Sequence, residues 1–406
     1  MTAPGAPSAD DVLTLLIGGQ RLTGWQAVRV TRGVERVPSD FDLLVTERYP
    51  VGGSGDPGLH ADEGPLPLVA VPGAPCRIDI GGDLVLTGYV DRYMPSLTPQ
   101  GHEVRIIGRG KCQDIVDCSA VSPGMQITTR SLLDICNRLA QPYNITVRTL
   151  TGNDVALTTP AGDAVQFNVT LGETVFEIIE RMCRYLAVLA YEDVDGSLLI
   201  ANVAAQRMAS GFVQGVNVEA ATVGYAMDGR YSSYLPALMS VDSLNDFGTS
   251  AATPFPSVLD QGVPRFRQMI VVSEQFQYDH YLAVARAQWE MARRFGRSQT
   301  VRVVADSWRD AKGNLWSPNA LAAVHLPALR ISNQQWLIAS VSFVRDPDRG
   351  TIAELDLMPP QGLTVMPDVL ELYLWDVATD LSGGARGNVD PRPDGAAVVR
   401  RTGGAS

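Results

Sequence analysis

The sequence of 406 residues predicts a mainly β protein with an α+β insert near its middle. Short stretches that alternate apolar and polar residues, punctuated by Gly and Pro, run from residue 12 to 110 and return after residue 299. Two amphipathic helical patterns and an apolar strand lie between them, within residues 130–200. Hydrophobic residues form 45% of the chain and charged residues 19%, so the composition supports several packed domains.

The first β-barrel-like domain is predicted over residues 12–121, after a disordered N-terminus of residues 1–11. Residues 12–49 alternate as short strands do. The Gly81-Gly82 pair separates two apolar runs and suits a hairpin turn, because glycine reaches positive φ without steric cost. Residues 51–67 are rich in Gly, Pro and acidic residues, and we predict an exposed loop there.

The α+β domain is predicted over residues 122–205. The run SLLDICNRLAQPY predicts a short amphipathic helix that ends at Pro142. In the next helix, Thr174 and Glu177 have the spacing of a capping box. Its apolar face is predicted to be Val175, Ile178, Ile179, Met182 and Leu186. The i,i+4 pairs on its other face are Glu177–Arg181 and Glu180–Arg184.

The second β-barrel-like domain is predicted over residues 206–362, with a long polar loop at 242–265 and a helix at 278–295. The helix is expected to bury one face, composed of Tyr281, Val284, Ala285, Trp289 and Ala292. Residues 363–406 are expected to form a C-terminal extension, largely flexible after residue 380, because a Gly-rich segment cannot bury a core alone.

One internal correspondence links the two β domains. Residues 86–109 and 337–360 each contain an apolar strand, a basic residue near its end, a turn with Pro and Gly, and an alternating strand. Each segment also follows a strand that is entered from a proline. Two copies of one β unit flanking the α+β domain would explain this layout, although unrelated hairpins share it too.

The stretch IIGRGKCQDIVDCSAV, residues 106–121, has the residue types of a chemical site. Cys112 and Cys118 lie six residues apart, which is neither a metal-knuckle nor a redox spacing, so we interpret them as packing residues. The run GRGK is not a Walker phosphate loop, because Arg105 and Cys112 replace the required Gly and Ser or Thr. The run DVDGS at 193–197 begins like a calcium loop, but Ala204 stands at the twelfth position, so a hairpin turn is expected.

No catalytic, cofactor-binding or metal-ligating residue is predicted, and we expect the chain not to be an enzyme. The five cysteines include no C-x-x-C pair, and the four histidines, His60, His102, His280 and His325, are far apart. The helix acids Glu173, Glu177 and Glu180 are expected to form a solvated face. No nucleophile motif occurs.

Charge and hydropathy exclude two further classes. A net charge of −11 and a pI near 4.9 argue against tight, non-specific binding of nucleic acid. No apolar run approaches the roughly 20 residues that span a bilayer, and the N-terminus lacks the pattern of a signal peptide, so we expect a soluble chain without stable membrane insertion.

Four segments, in order, resemble one protein family. They are TGYVDRYMPS…HEVRIIGRGKCQDIVDCSAV, LLDICNRLAQPYNI, GETVFEIIERMCRYLAVLAYEDVDGSLLI and DAKGNLWSPNALAAV…WLIASVSFVRDPDRGTIAELDLMPP. They resemble the baseplate hub protein of Mu-type contractile-tailed phages, which is similar in fold to the T-even phage hub and to the base of type VI secretion spike proteins. The resemblance covers residues 12–362, and its most specific parts are G-R-x-K-x-x-D-hydrophobic-V-D-C-S and G-x-L-W-x-P-N.

The resemblance implies a structural protein of the virion, in the baseplate of a contractile tail, assembled in the bacterial host cytoplasm. It implies a homotrimer whose two β-barrel-like domains per chain form a pseudo-sixfold ring, adapting the six-fold tail tube to the three-fold spike. The implied partners are the central spike, tail tube or tube-initiator proteins, baseplate wedge proteins and a tape-measure protein. DNA would pass through without specific binding, and we hypothesise that part of the negative charge faces that channel.

Two other functions stay open: a tail-associated cell-wall hydrolase and a carbohydrate-binding tail adhesin. An adhesin would expose aromatic platforms, yet Trp289 and Trp336 lie in strongly apolar patterns. An infectious phage, a defective prophage and a phage-tail-like bacteriocin are all compatible with the sequence, and so is an intersubunit disulfide. The acidic loop 51–67 and the tail 381–406 depart from what the resemblance leads us to expect.

Overall fold

A computed structural model of the chain describes residues 11–46, 70–98, 101–121, 126–150, 165–169, 171–186, 188–204, 206–239, 252–254, 256–273, 280–360, 388–391 and 397–400. The described part is mainly β with a helical insert, as predicted. None of its helices combines the length and apolar composition needed to cross a bilayer. The loop 51–67 and the disordered N-terminus through residue 10 lie outside the described residues.

The first β region is one antiparallel sheet of seven strands. Its strands are β1 (Leu13–Ile17), β2 (Gln20–Leu22), β3 (Ala27–Gly33), β4 (Asp40–Thr46), β5 (Pro75–Ile80), β6 (Asp83–Thr98) and β7 (Gly101–Gly110). They lie side by side in the order β2-β1-β5-β6-β7-β4-β3. The predicted hairpin turn is confirmed: Gly81 and Gly82 both have positive φ, and Ile80 pairs with Asp83.

The insert has its own core. Its elements are α1 (Gln113–Asp117), β8 (Gln126–Thr129), α2 (Leu132–Ala140), β9 (Val147–Thr149), β10 (Val165–Asn168), α3 (Val175–Leu186), β11 (Leu189–Glu192) and β12 (Leu198–Ala201). Ser131 caps α2 by accepting the Asp134 N–H at 2.9 Å, and a 3-10 turn containing Pro142 follows the helix. The predicted apolar face of α3 is buried from Val175 to Met182; the side chain of Leu186 is outside the described residues.

The second β region returns to the same sheet. Its strands are β13 (Gln206–Arg207), β14 (Phe212–Val213), β15 (Val218–Tyr225), β16 (Ser233–Met239), β17 (Ala252–Pro254), β18 (Val258–Leu259), β19 (Gln268–Ser273), β20 (Gln299–Ala305), β21 (Ala320–Leu326), β22 (Ile331–Asp346) and β23 (Gly350–Met358). The predicted loop 242–265 contains two short strands, β17 and β18, which pair with β16. Two C-terminal strands, β24 (Asn388–Pro391) and β25 (Ala397–Arg400), form an antiparallel hairpin.

The predicted helix at 278–295 is α4 (His280–Arg297). Trp289 and Ala292 are buried as predicted, and Val284 is half-buried. The side chains of Tyr281 and Ala285 lie outside the described residues. The buried face also includes Ala283, Ala287, Met291 and Phe295. This face covers the small sheet of β16–β19, where Tyr234 and Val271 are buried against the helix.

The two β regions, which the sequence treats as separate domains, share one sheet. β3 pairs antiparallel with β22, from Gly33 opposite Ser340 to Val28 opposite Arg345. The sheet therefore runs without interruption from β15 through β20, β23, β22, β3 and β4 to β2. One hydrophobic core lies beneath both regions and contains residues from Leu13 to Leu357.

Each region contains the same β unit, as the sequence correspondence predicts. We call β3–β7 unit 1 and the set β15 and β20–β23 unit 2. β5, β6 and β7 are antiparallel neighbours, as are β21, β22 and β23. β4 pairs with β7 as β20 pairs with β23, and β3 flanks β4 as β15 flanks β20.

Fine details of the two units also match. β6 and β22 are both 16 residues long, and each bulges at its ninth residue, Asp91 and Ala339. Before each bulge, a residue with positive φ donates its N–H to the long strand: Gly73 to Val90 at 2.7 Å and Asn319 to Ile338 at 2.9 Å. When β6 and β22 are aligned at their first residues, residue 83 is equivalent to residue 331. The sequence correspondence instead aligned residue 86 with residue 337, so the two alignments differ by three residues.

Candidate functional site

The cysteine-containing stretch at 106–121 forms the junction between unit 1 and the insert. β7 ends at Gly110, and α1 begins at Gln113, after Lys111 and Cys112. The Lys111 N–H donates to the Thr87 carbonyl at 2.9 Å, which ties the turn to β6. Its Nζ atom donates to the Asn144 carbonyl at 2.5 Å, which ties it to the insert. The Arg-Gly-Lys run therefore joins two parts of the fold.

A buried carboxylate holds this junction together. Glu192, at the end of β11, is 3% exposed. Its Oε1 accepts the Cys112 N–H at 2.8 Å, and its Oε2 accepts the Ser39 N–H at 2.8 Å. Burial raises the pKa of the Glu192 carboxyl, while these two donors and the Arg32 guanidinium oppose that rise. One side chain of the insert thus satisfies two backbone donors of the preceding segment.

The glycines of the junction are required by close packing. A Cβ atom at Gly110 would lie 1.9 Å from Oε2 of Glu192, and one at Gly88 would lie 2.0 Å from the Arg109 carbonyl. A Cβ atom at Gly108 would lie 2.2 Å from the Tyr89 carbonyl oxygen. These approaches account for the glycine-flanked arginine that resembles a phosphate loop. The resemblance to a phosphate loop has a packing origin.

Cys112 lacks the surroundings of a reactive thiol. Cys112 is fully buried, and its Sγ lies 3.7 Å from the Gly196 carbonyl. Burial raises the pKa of the Cys112 thiol well above its ordinary value, and the charge of Glu192 adds to the rise. Among the described residues, the five cysteines form no disulfide with one another, and Cys118 is the one that is half-buried. The described residues contain no cluster of His, Cys, Asp and Glu suited to a metal ion.

The calcium-like run DVDGS is a hairpin turn, as predicted. The Gly196 N–H donates to the Asp193 carbonyl at 3.0 Å, and Gly196 has positive φ. Arg148 donates through Nη2 to both Asp193 and Asp195 at 2.9 Å. The two carboxylates that would bind a cation are therefore matched by a guanidinium.

The polar side of α3 differs from the prediction. The capping box is confirmed, because Thr174 and Glu177 exchange hydrogen bonds of 2.8 and 3.2 Å. Arg181 pairs with Glu173 at 2.6 Å, while the Glu177 carboxylate caps the helix. The side chain of Glu173 is only 15% exposed, so it does not belong to a solvated face. The side chain of Arg184 lies outside the described residues.

The second specific run of the sequence, G-x-L-W-x-P-N, forms a tight loop around Asp310. The carboxylate of Asp310 accepts N–H groups from Ala209, Lys312 and Asn314 at 2.9–3.0 Å. Burial by itself raises the pKa of Asp310, but the N–H donors from Asn314, Ala209 and Lys312 outweigh it and hold the pKa below its ordinary value. The loop places Trp316 in the core against Phe212, with ring centroids 4.5 Å apart.

Four of the five described tryptophans are buried core residues, and the fifth, Trp25, is half-buried and packs against the core of the sheet. Trp308, Trp316, Trp336 and Trp289 are each less than a tenth exposed. The Trp308 indole N–H donates to the carbonyls of Val344 and Ile352. These four side chains offer no platform for a sugar ring.

Sequence reasoning missed Glu192, although the sequence carried a weak signal. It lies in the run LAVLAYED, where a charged residue follows an apolar strand. A charge in that position is usually the start of a turn, so its burial is not visible without the partner strands. The glycines had a clearer signal, since Gly88, Gly108 and Gly110 interrupt strand patterns.

Three family models match separate segments of the chain. Residues 12–110 match the N-terminal domain of Mu phage baseplate assembly protein GpP-like, and residues 112–202 match the second domain of baseplate hub protein gp44-like. Residues 280–366 match the fourth domain of Mu phage baseplate assembly protein GpP. The first two models meet at Lys111, within the junction.

Full-length relatives agree with these matches. The chain is 28% identical to the baseplate hub protein gp44 of Escherichia phage Mu over 360 residues, covering 87% of this chain and 89% of that protein. The crystal structure of a 43 kDa tail protein from prophage MuSo2 of Shewanella oneidensis is similar, with a TM-score of 0.70, 27% identity, and coverage of 87% of this chain and 99% of that chain.

Two more distant structures share the fold. A tail protein from Neisseria meningitidis has a TM-score of 0.67 at 18% identity, covering 87% of this chain and 97% of that one. A type VI secretion component of Escherichia coli, described as structurally similar to T4 bacteriophage tail proteins, has a TM-score of 0.51 at 9% identity, covering 85% and 76%. The fold is therefore that of phage tail proteins. Within this class, the chain is similar over most of its length to the baseplate hub proteins of Mu-type phages, which are structural proteins of the virion tail.

Proposed function

We propose that this hub protein forms a homotrimeric ring in which six β units, two from each chain, surround a central channel. The observation that carries the proposal is the internal duplication. Units 1 and 2 match in strand order, bulge position and positive-φ residues. A trimer of such chains presents six equivalent units to a six-fold partner and three identical surfaces to a three-fold partner.

In this role the hub adapts the six-fold tail tube to the three-fold central spike. Its partners are the spike, the tail tube or tube-initiator proteins, the wedge proteins and a tape-measure protein, and it assembles in the host cytoplasm. DNA passes through the channel without specific binding. The net charge of −11 supports this, because acidic side chains facing the channel repel phosphate groups.

Sedimentation equilibrium on the purified chain tests the ring. We expect a species of three 43.7 kDa chains. Electron microscopy of the same sample should show a ring with six similar lobes. A monomer at every accessible concentration, in the purified chain and in the isolated baseplate, would contradict the proposal.

We infer a structural role without catalysis. The similarity to a baseplate hub protein, which is a structural protein, supports this inference. A zymogram on peptidoglycan tests it against the alternative of a cell-wall hydrolase: no clearing is expected, and a cleared band at the position of the chain would overturn the inference.

A further inference from the structure

The internal duplication leaves two strand edges whose equivalents are paired within the chain. β3 of unit 1 pairs with the second half of β22. The equivalent of β3 in unit 2 is β15, and the equivalent of that half of β22 is residues 92–97 of β6. In the described part of the chain, no strand pairs with this edge of β6, and the outer edge of β15 has one isolated bridge, from Gln214 to Val218.

We propose that β15 of one protomer pairs antiparallel with β6 of the next protomer, in the register that β3 uses on β22. The inference rests on the proposed ring and specifies how the ring closes. The internal pairs run from Gly33 opposite Ser340 to Val28 opposite Arg345. When each residue of β3 and β22 is replaced by its equivalent on β15 and β6, the intersubunit pairs run from Ala226 opposite Arg92 to Ala221 opposite Leu97.

The backbone groups on both edges face in the direction that this pairing needs. The Ala226 N–H donates to the Ser298 carbonyl at 2.8 Å, so the even-numbered residues of β15 bond to β20 and the odd-numbered ones direct their groups outward. On β22, the Ala339 carbonyl accepts the Val34 N–H at 2.9 Å, which fixes the odd-numbered residues as those that bond to β3. Their equivalents on β6 are the odd-numbered residues 91–97. Pro95 has no N–H, so the ladder lacks one hydrogen bond, opposite Val223.

The side chains at the two edges are complementary. Val28 and Val30 of β3 are buried by the internal pairing. Their equivalents on β15, Ala221 and Val223, pack against the core but remain half-buried. Opposite Ala221 the proposed register places Leu97, which is 82% exposed in the single chain. The neighbouring protomer therefore supplies an apolar side chain where the rim of the core is open.

A second copy of this chain is the occupant that fits both edges at once. The two edges lie on different units of one sheet, so the contact is heterologous, and a heterologous contact whose rotation closes generates a ring. An unpaired strand edge also favours aggregation unless it is covered, and ring closure covers both. The internal β3–β22 contact shows that these two strand types pair stably in this register.

A cysteine pair tests the register directly. Ser96 and Thr222 are both exposed, and they correspond to Val344 and Arg29, which face each other in the internal ladder. They occupy a non-hydrogen-bonded position, where Cα atoms lie about 4.5 Å apart, within the range of a disulfide. On oxidation of Ser96→Cys/Thr222→Cys, we expect covalent dimers and trimers on a non-reducing gel, reversed by reductant.

The matched control is Ser96→Cys/Thr300→Cys. Thr300 is exposed on β20, one strand further from the interface, about 4.8 Å away in the direction of the hydrogen bonds. This pair should not cross-link. If sedimentation shows a trimer, then equal cross-linking in both pairs, or none in Ser96→Cys/Thr222→Cys, would overturn the proposed strand pairing but not the ring. A monomer without cross-links at every concentration would overturn both.

A proline variant gives an independent test. The N–H of residue 221 points outward, so Ala221→Pro removes a donor from the edge and leaves the β15–β20 hydrogen bonds intact. We expect a circular dichroism spectrum unchanged from the parent and trimer association weakened at least tenfold. A folded variant with unchanged association would contradict the proposed pairing.

Discussion

Gly110→Ala tests the account of the junction most sharply. The new Cβ atom would lie 1.9 Å from Oε2 of Glu192 and 2.3 Å from its Cδ. A carboxylate at the end of a flexible side chain usually rotates away from such a contact at little cost. Here the Cys112 and Ser39 N–H groups hold both oxygens at 2.8 Å, so movement breaks both bonds. Hydrogen bonds to charged groups contribute roughly 1.5–3 kcal/mol each, so we expect a loss of about 3–5 kcal/mol in the free energy of unfolding.

Urea unfolding of the full chain, followed by far-UV circular dichroism, measures this loss. With a slope of about 1–3 kcal/mol per molar urea, the transition of the insert should shift by on the order of 1 M or more. The matched control is Gly229→Ala, since a Cβ atom there meets nothing within 4 Å. Its effect should stay within about 0.5 kcal/mol, as for ordinary surface substitutions.

A double-mutant cycle identifies the cause of the loss. Glu192→Ala removes the carboxylate that the new Cβ atom would meet, so Gly110→Ala should cost almost nothing in that background. Hydrogen exchange should also become faster at the Cys112 and Ser39 amides in the Glu192→Ala variant. An undiminished cost of Gly110→Ala in the Glu192→Ala background, or a cost equal to that of Gly229→Ala, would refute the reasoning.

Three further predictions concern the ion pairs, the acid response and the thiols. Asp260→Ala leaves the buried guanidinium of Arg230 without its bidentate partner at 2.9–3.0 Å, and should cost roughly 3–5 kcal/mol in urea unfolding, whereas replacing both residues by apolar ones should cost less. Because the folded state lowers the pKa of Asp310, this carboxylate stabilises the fold above its ordinary pKa, and the stabilisation is lost as pH falls through the lower folded-state pKa. The Asp310→Asn variant should therefore be less stable at neutral pH and show a flatter acid unfolding curve. An acid unfolding curve unchanged from the parent would contradict this prediction. Iodoacetamide on the folded chain should label Cys118 first, and rapid labelling of Cys112 would disprove its packing role.

Local patterns in the sequence predict much of the fold. The alternation of LTLLI appears as the alternating burial of β1, and the Gly81-Gly82 pair forms the hairpin turn. Thr174 and Glu177 form the predicted capping box because its donors and acceptors lie within one helical turn.

The acids were predicted less well than the apolar residues. Glu173, Glu177 and Glu180 have the spacing of a solvated helix face, yet Glu173 is mostly covered and pairs with Arg181. Sequence spacing shows which residues share a helix face, but it does not show which part of that face another element covers. The burial of Glu192 is a similar case, because both of its N–H donors lie more than seventy residues away in the chain.

The sequence by itself predicted much of the secondary structure, suggested a duplicated β unit and indicated the class of protein, since these depend on periodicity and on short motifs. Only the tertiary structure decided that the two β regions form one sheet, through pairs such as Thr31 and Ser342, which are 311 residues apart and whose hydroxyl groups lie 3.0 Å apart. The physical reason is that a strand pattern specifies which face is buried, whereas its neighbour depends on which edge the rest of the chain leaves open. For the same reason, the open edges of β15 and β6 can be recognised only from the folded chain.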